Sequence, residues 1–242
     1  FFDSITFFIS AVVIAVMDIP PTEAGEPPLE KNSVWEDIKA GLNFIRHNRA
    51  LNRVLVVTAI ATLGIGAIVL LAIPHLKARL GAGGLEYGIA MSVLGLGSVL
   101  GGLLVNRLSR RLSTSTIVGG MLVLAGAAIN AFAFAPNYGV VLVSVAIIGL
   151  CVVIARGALD TISQALSPDA VRGRVQSAVN LLVVAATAVA EGLSAVLGSL
   201  FGVQAVFVAS GVVTALTGIA AVFALRGASH GCYEIHTTRC PG

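Results

Sequence analysis

Glu191 is the residue hardest to explain as packing. It lies well inside the apolar run Ala178–Leu200. In a run long enough to cross a bilayer, an ionisable side chain costs about 2.5–3.5 kcal/mol on insertion scales, so it faces a cavity or a partner. Asn180, Thr187, Glu191 and Ser194 follow at spacings of 7, 4 and 3 and share one helix face. Such a face fits a helix that lines a cavity. There Glu191 would bind a proton, a cationic substrate or a neighbouring arginine. A structural reading stands beside this: a protonated acid bonded to an adjoining helix. Asp3 is a second acid in an apolar run. It stands roughly 21 Å from the inner end of its helix at about 1.5 Å per residue. That depth fits either a binding role or an acid at the outer interface.

Basic residues form a second constellation. Arg107, Arg110 and Arg111 crowd one short stretch. Each attracts an anionic lipid surface by about 1 kcal/mol, and each can also bind the partly negative C-terminus of a helix. Arg156 and Asp160 are four residues apart, an ion-pair spacing on a helix; Arg156, at the predicted inner end of its helix, is expected to snorkel. Arg172 and Arg174 belong to the next polar stretch. Thr58 with Thr62, and Ser210 with Thr214 and Thr217, share faces but are expected to bond back to their own helices.

Other chemistries lack their signatures. No phosphate-binding Gly-x-x-x-x-Gly-Lys-Ser/Thr run, Ser/His/Asp constellation or His-Glu-x-x-His run is present, so neither an ATP site nor an enzyme is expected. No cofactor is implied. His47 and His75 read as solvated loop residues. His230, Cys232, His236 and Cys240 are potential zinc ligands, but their spacing matches no common finger, and three glycines favour a loose tail. Cys151 sits in an apolar run and reads as a small hydrophobe.

The elements that must hold these residues follow from composition. Of 242 residues, 57% are hydrophobic and 11% charged, against about 25% charged in soluble domains. A soluble enzyme and a disordered chain are thereby excluded. A net charge of +3 does not suggest nucleic acid as a partner. Six apolar runs, Val54–Ile73, Tyr87–Val105, Thr116–Phe134, Tyr138–Ala155, Ala178–Leu200 and Val203–Leu225, are each long enough for a helix crossing roughly 30 Å of hydrocarbon. Phe1–Met17 reads as the remainder of a seventh, cut at its start. The fold class is therefore all-α and polytopic, with the lipid bilayer as solvent. Alternating barrel strands are absent, and helices satisfy their own backbone in lipid.

Thirteen of the 15 basic residues fall on one side of this arrangement, leaving Lys77 and Arg79 on the other. The positive-inside rule makes the first side cytoplasmic. Residues 18–53 then form a long cytoplasmic loop and residues 226–242 a cytoplasmic tail. Within the loop, Ser33 and Glu36 fit a capping box. Trp35, Ile38, Leu42 and Ile45 make one apolar stripe, predicting an amphipathic helix over about 34–48 that lies on the membrane or on the protein's own cytoplasmic face. Short connections at Gly81–Gly84, Ala135–Asn137 and Phe201-Gly202 force antiparallel neighbours, so residues 54–225 should form a six-helix bundle. Ser167 and Pro168 read as the cap and first residue of a helix. Gly97-x-x-x-Gly101 and Gly198-x-x-x-Gly202 permit close helix approach.

The stretch Gly102-Leu103-Leu104-Val105-Asn106-Arg107-Leu108-Ser109-Arg110-Arg111 resembles the cytoplasmic motif of major facilitator superfamily transporters, Gly-x-x-x-Asp-Arg-x-Gly-Arg-Arg. Asn106 replaces the acid and Ser109 the second glycine. Asp3–Phe7 and Gln164–Val175 look like corresponding stretches of bacterial drug, macrolide and enterobactin exporters. The resemblance covers about Phe1 to Arg226. It implies a twelve-helix protein of which this chain holds the sixth to the twelfth helices. Gly102, Asn106, Arg107, Arg110 and Arg111 would gate the cytoplasmic side. Arg156, Asp160, Arg172 and Arg174 would belong to the second cytoplasmic loop. The implied function is secondary transport of a small molecule, proton-coupled efflux across the inner cell membrane by alternating access, with the missing N-terminal half as partner. The alternative is a truncated or split half without transport of its own.

Overall fold

The computed structural model describes residues 2–16, 48–167 and 169–237; side chains at 2–4, 14, 15, 67, 69, 169–172, 174 and 226–237 fall outside that description. Residues 34–47 of the predicted amphipathic helix, including His47, lie outside the described residues, as do Pro168 and Cys240; Asn48, its predicted last residue, is extended and caps the next helix. The chain divides into two units, Phe1–Glu36 and Asp37–Gly242. The first unit contributes α1 (Phe2–Val16), which carries Asp3 in its opening turn.

The second unit holds α2 (Arg49–Leu80), α3 (Gly84–Ser109), α4 (Thr114–Ala133), α5 (Tyr138–Ala165), α6 (Asp169–Phe201) and α7 (Val203–Thr237). All six are long and apolar enough to cross a membrane. Most run one to three turns beyond the apolar stretch that announces them. Hydropathy ends where lipid ends, whereas backbone hydrogen bonding does not. Caps set several starts: the side-chain oxygens of Asn48 and Asn137 accept from Leu51 N at 3.2 Å and Val140 N at 3.0 Å, and Ser113 accepts from Thr116 N at 3.4 Å. The Ser167 hydroxyl, predicted to cap α6, donates back to Ser163 O at 2.7 Å.

A departure from expectation with a visible packing cause is at the end of α2. The helix continues through Pro74, where the apolar run was predicted to stop, to Leu80. A mid-helix proline costs about 3 kcal/mol. Tertiary packing opposes that cost: His75 and Leu76 are buried. Arg79 donates to Ala133 O at 2.6 Å, satisfying a carbonyl at the C-terminus of α4. His75, expected to be a solvated loop residue, is instead helical and packs its ring against Phe132 and Phe207 at 5.4 and 5.0 Å. Likewise, the segment after Leu225, expected to be loose, has a helical backbone to Thr237.

Backbone proximity defines the bundle. α4 packs most extensively on α7, α3 on α5, and α2 on both α6 and α7. In the first pair glycines face glycines: a Cβ on Gly119 would meet Gly218 O at 2.7 Å, and one on Gly211 would meet Gly126 O at 2.8 Å. The ascending order in α4 meets the descending order in α7, so the two helices are antiparallel. In the second pair Gly97 faces Ala146 and Gly101 faces Leu150, whose carbonyl lies 2.6 Å from a Cβ built on Gly101. The predicted approach at Gly198 is only ordinary contact, 3.4 Å to the Leu71 side chain. Gly202 has another reason to be glycine: at φ 85° it makes the one-residue turn between α6 and α7.

Candidate functional site

Four helices converge on a cavity of about 170 Å³. α2 supplies Thr58 and Thr62 one turn apart, α6 supplies Thr187, and α5 supplies Arg156; Leu122 of α4 and other apolar side chains complete the wall. The threonine hydroxyls donate to the carbonyls four residues earlier: Thr58 to Val54 O and Thr62 to Thr58 O, both at 2.8 Å, and Thr187 to Val183 O at 2.9 Å. This back-bonding uses their protons. Their oxygen lone pairs remain as acceptors for a donor in the cavity.

Arg156 provides the charge. Its Nε lies 3.6 Å from Asp160 Oδ2, and the side chains are 43% and 33% exposed. The predicted spacing partner is thus in place. The location differs from expectation, because α5 runs nine residues past Arg156 to Ala165. At about 1.5 Å per residue, Arg156 stands roughly 13 Å inside the helix end. Arg156 follows directly on the apolar run Tyr138–Ala155, so the pair stands at the edge of the hydrocarbon region, on the flank of a helix that continues past it. A cation and an anion side by side, with hydroxyl oxygens nearby, can orient a polar or charged ligand. Relaying a proton would require Asp160 to exchange Arg156 for that proton.

The predicted polar face of α6 does not act as one surface. Asn180 is exposed and Thr187 enters the cavity. Glu191 is half-buried one turn further on, and among the described residues no cation lies within ion-pair distance of it. Ser194 is buried in a separate pocket beside Gly64, Ala190 and Ser210, between α2, α6 and α7. The Asp3, Arg172 and Arg174 side chains are outside the described residues. Sequence reasoning set Thr58 and Thr62 aside as helix-bonded; that bonding is present, yet both also line the cavity. Three threonines on two membrane helices were the available signal, but nothing in the chain says which helices are neighbours.

The arginine-rich stretch is placed otherwise than as a loop. Gly102, Asn106 and Arg107 belong to the exposed end of α3, and only residues 110–113 connect to α4. Gly102 has open space where a Cβ would stand, so it is not a packing glycine within the bundle. Arg110 and Arg111 are exposed in the connection, and the Ser109 hydroxyl donates to Val105 O at 2.9 Å.

Against known proteins, residues 1–231 match a family model described as transmembrane secretion effector. No curated protein sequence matches. Among solved structures, the chain is similar to a bacterial homologue of the human lysosomal transporter Spinster, in an inward-facing, unoccupied conformation, with a TM-score of 0.53 and 17% identity. That alignment covers 96% of this chain and 56% of the Spinster homologue's, so this chain spans little more than half of that protein's length. At this identity the likeness concerns the fold. The family match extends over nearly the whole sequence, and the fold agrees with it: the chain is an integral membrane protein of the transmembrane secretion effector family, within the major facilitator superfamily of transporters.

Proposed function

We propose that the chain is the substrate-handling C-terminal half of a secondary transporter that exports a small molecule in exchange for protons. The observation that carries this reading is the Thr58–Thr62–Thr187–Arg156 cavity with Asp160 beside it. Its volume is below the roughly 300–1,000 Å³ of a drug-sized site. That fits one wall of a larger cavity, completed by a second six-helix half and alternately opened by rocking of the two halves. The arginine-rich end of the bundle faces the cytoplasm of the inner cell membrane by the charge rule. Gly102, Asn106, Arg107, Arg110 and Arg111 form the gate there, with Arg172 and Arg174 belonging to the second cytoplasmic connection, at the start of α6. Glu191, one turn from Thr187, is the proton or cation contact; Asn180, Ser194 and Asp3 are supporting polar positions.

The test uses the polypeptide as isolated from its source membrane, in everted vesicles carrying an imposed proton gradient. Uptake of a fluorescent cationic dye should accompany proton loss. Arg156→Ala should lower the rate at least about tenfold, the effect of losing about 1.4 kcal/mol of differential binding. Glu191→Gln should remove its dependence on the gradient with the protein still inserted. Dye uptake that persists unchanged in both variants would contradict the assignment. A second reading, a half with no transport of its own, gains support if the inserted wild-type chain carries no dye until a second half is supplied.

A further inference from the structure

At the same end of the bundle as the arginine-rich connection, α2 and α7 separate and leave a groove of about 480 Å³. Its floor is the buried Val57 and Thr217, and its exposed sides are Val56, Ile60 and Leu216. Thr217 donates to Val213 O at 2.7 Å, so it offers the floor only acceptor lone pairs; the valine, isoleucine, leucine and alanine side chains around it are apolar. Among the described residues lining the groove, the one charged side chain is Arg53, at its end beside Asn52. Arg53 Nη1 lies 3.4 Å from Ala224 O across the groove. This contact, at the long limit for a hydrogen bond, uses one of five guanidinium N–H donors. Arg49 is exposed one turn earlier on α2, and among the described residues no acidic side chain lines the groove.

The dimensions fit one occupant. On α7 the groove runs from Val213 to Ala224, roughly 16 Å at 1.5 Å per residue. That is close to one leaflet of a hydrocarbon core about 30 Å thick. A trough one leaflet deep, apolar along its length and cationic at its headgroup end, matches a phospholipid with an anionic head. A transmembrane helix in the same place would leave the arginines without an anion. Basic pockets between membrane helices are known to hold acidic headgroups. We propose that this groove binds one anionic phospholipid, its phosphate against Arg53 and Arg49 and an acyl chain along Val56, Ile60 and Leu216. The proposal rests on the orientation given above only for which leaflet supplies the lipid.

Native mass spectrometry of the full chain, extracted from membranes of equal phosphatidylglycerol and phosphatidylcholine, tests it. The wild type should retain phosphatidylglycerol preferentially. Arg53→Gln should lower that preference about fivefold, the ratio equivalent to the loss of about 1 kcal/mol per basic group near an anionic surface. Ala220→Trp, which fills the exposed wall, should remove bound lipid of both kinds. An unchanged lipid ratio in Arg53→Gln overturns the proposal, as does undiminished lipid in Ala220→Trp or a bound polypeptide in place of lipid. Bound lipid is read in detergent without transport, so a chain that moves no dye but shows these ratios would defeat the transport reading alone.

Discussion

His75, Phe132 and Phe207 form a ring cluster around the part of α2 that continues past Pro74. The two phenylalanine rings meet edge to face at 5.2 Å, and both are almost fully buried. The His75 ring completes the cluster, tying the C-terminal part of α2 to α4 and α7. In lipid such a cluster stabilises mainly through close packing, since the hydrophobic drive between helices is small. Phe207→Ala therefore opens a void that the three helices cannot readily close. A loss of about 3 kcal/mol is expected, read as a lower unfolding midpoint in mixed micelles. An unchanged midpoint would mean the cluster does not hold α2 past Pro74. None of this was legible from the sequence. Hydropathy and Pro74 together argued for a stop at Ile73, and the partners of His75 lie more than fifty residues away. The ion-pair spacing of Arg156 and Asp160, by contrast, was readable, because it is local to one helix.

Helix pairing was legible in part. The Gly97/Gly101 repeat pointed to close approach, and α3 does press on α5 there. The α4–α7 seam went unread. Its glycines lie seven apart in each helix, Gly119 with Gly126 and Gly211 with Gly218, and the signal appears only when two helices are compared antiparallel. At this seam a side chain in place of hydrogen meets backbone, which cannot give way. Gly218→Val should therefore separate α4 from α7 and abolish the cooperative unfolding transition. Gly102→Ala, in open space, should leave stability within about 0.5 kcal/mol, while slowing dye transport if the gate assignment holds. Thermal melts of the two purified variants give the comparison. Equal melting would refute the seam as a main contact of the bundle.

For the molecule as a whole, six helices long and apolar enough to span a membrane among the described residues agree with the six complete runs read from composition and length, and the fold likeness agrees with the family resemblance carried by Gly102–Arg111. Those features are legible because a bilayer imposes length and apolarity on each helix independently. The cavity was not, because it exists only once α2, α4, α5 and α6 are assembled. In the sequence its polar groups stand apart: threonines bonded to their own helices, an arginine at the end of an apolar run, and a polar face on α6 that the fold divides among exposed surface, cavity and a second pocket. A cavity that belongs to the transport path must be wet. The most direct measurement is reaction of Thr62→Cys with a membrane-impermeant thiol reagent in native membranes. Cys232 and Cys240 are changed to Ser in the background, and Cys151 is buried. Thr62→Cys should label rapidly, and more slowly with substrate bound, whereas Val143→Cys, at an exposed apolar position of α5 outside the cavity lining, should label little. If Thr62→Cys reacts no faster than Val143→Cys, the cavity is dry and the assigned transport path is wrong.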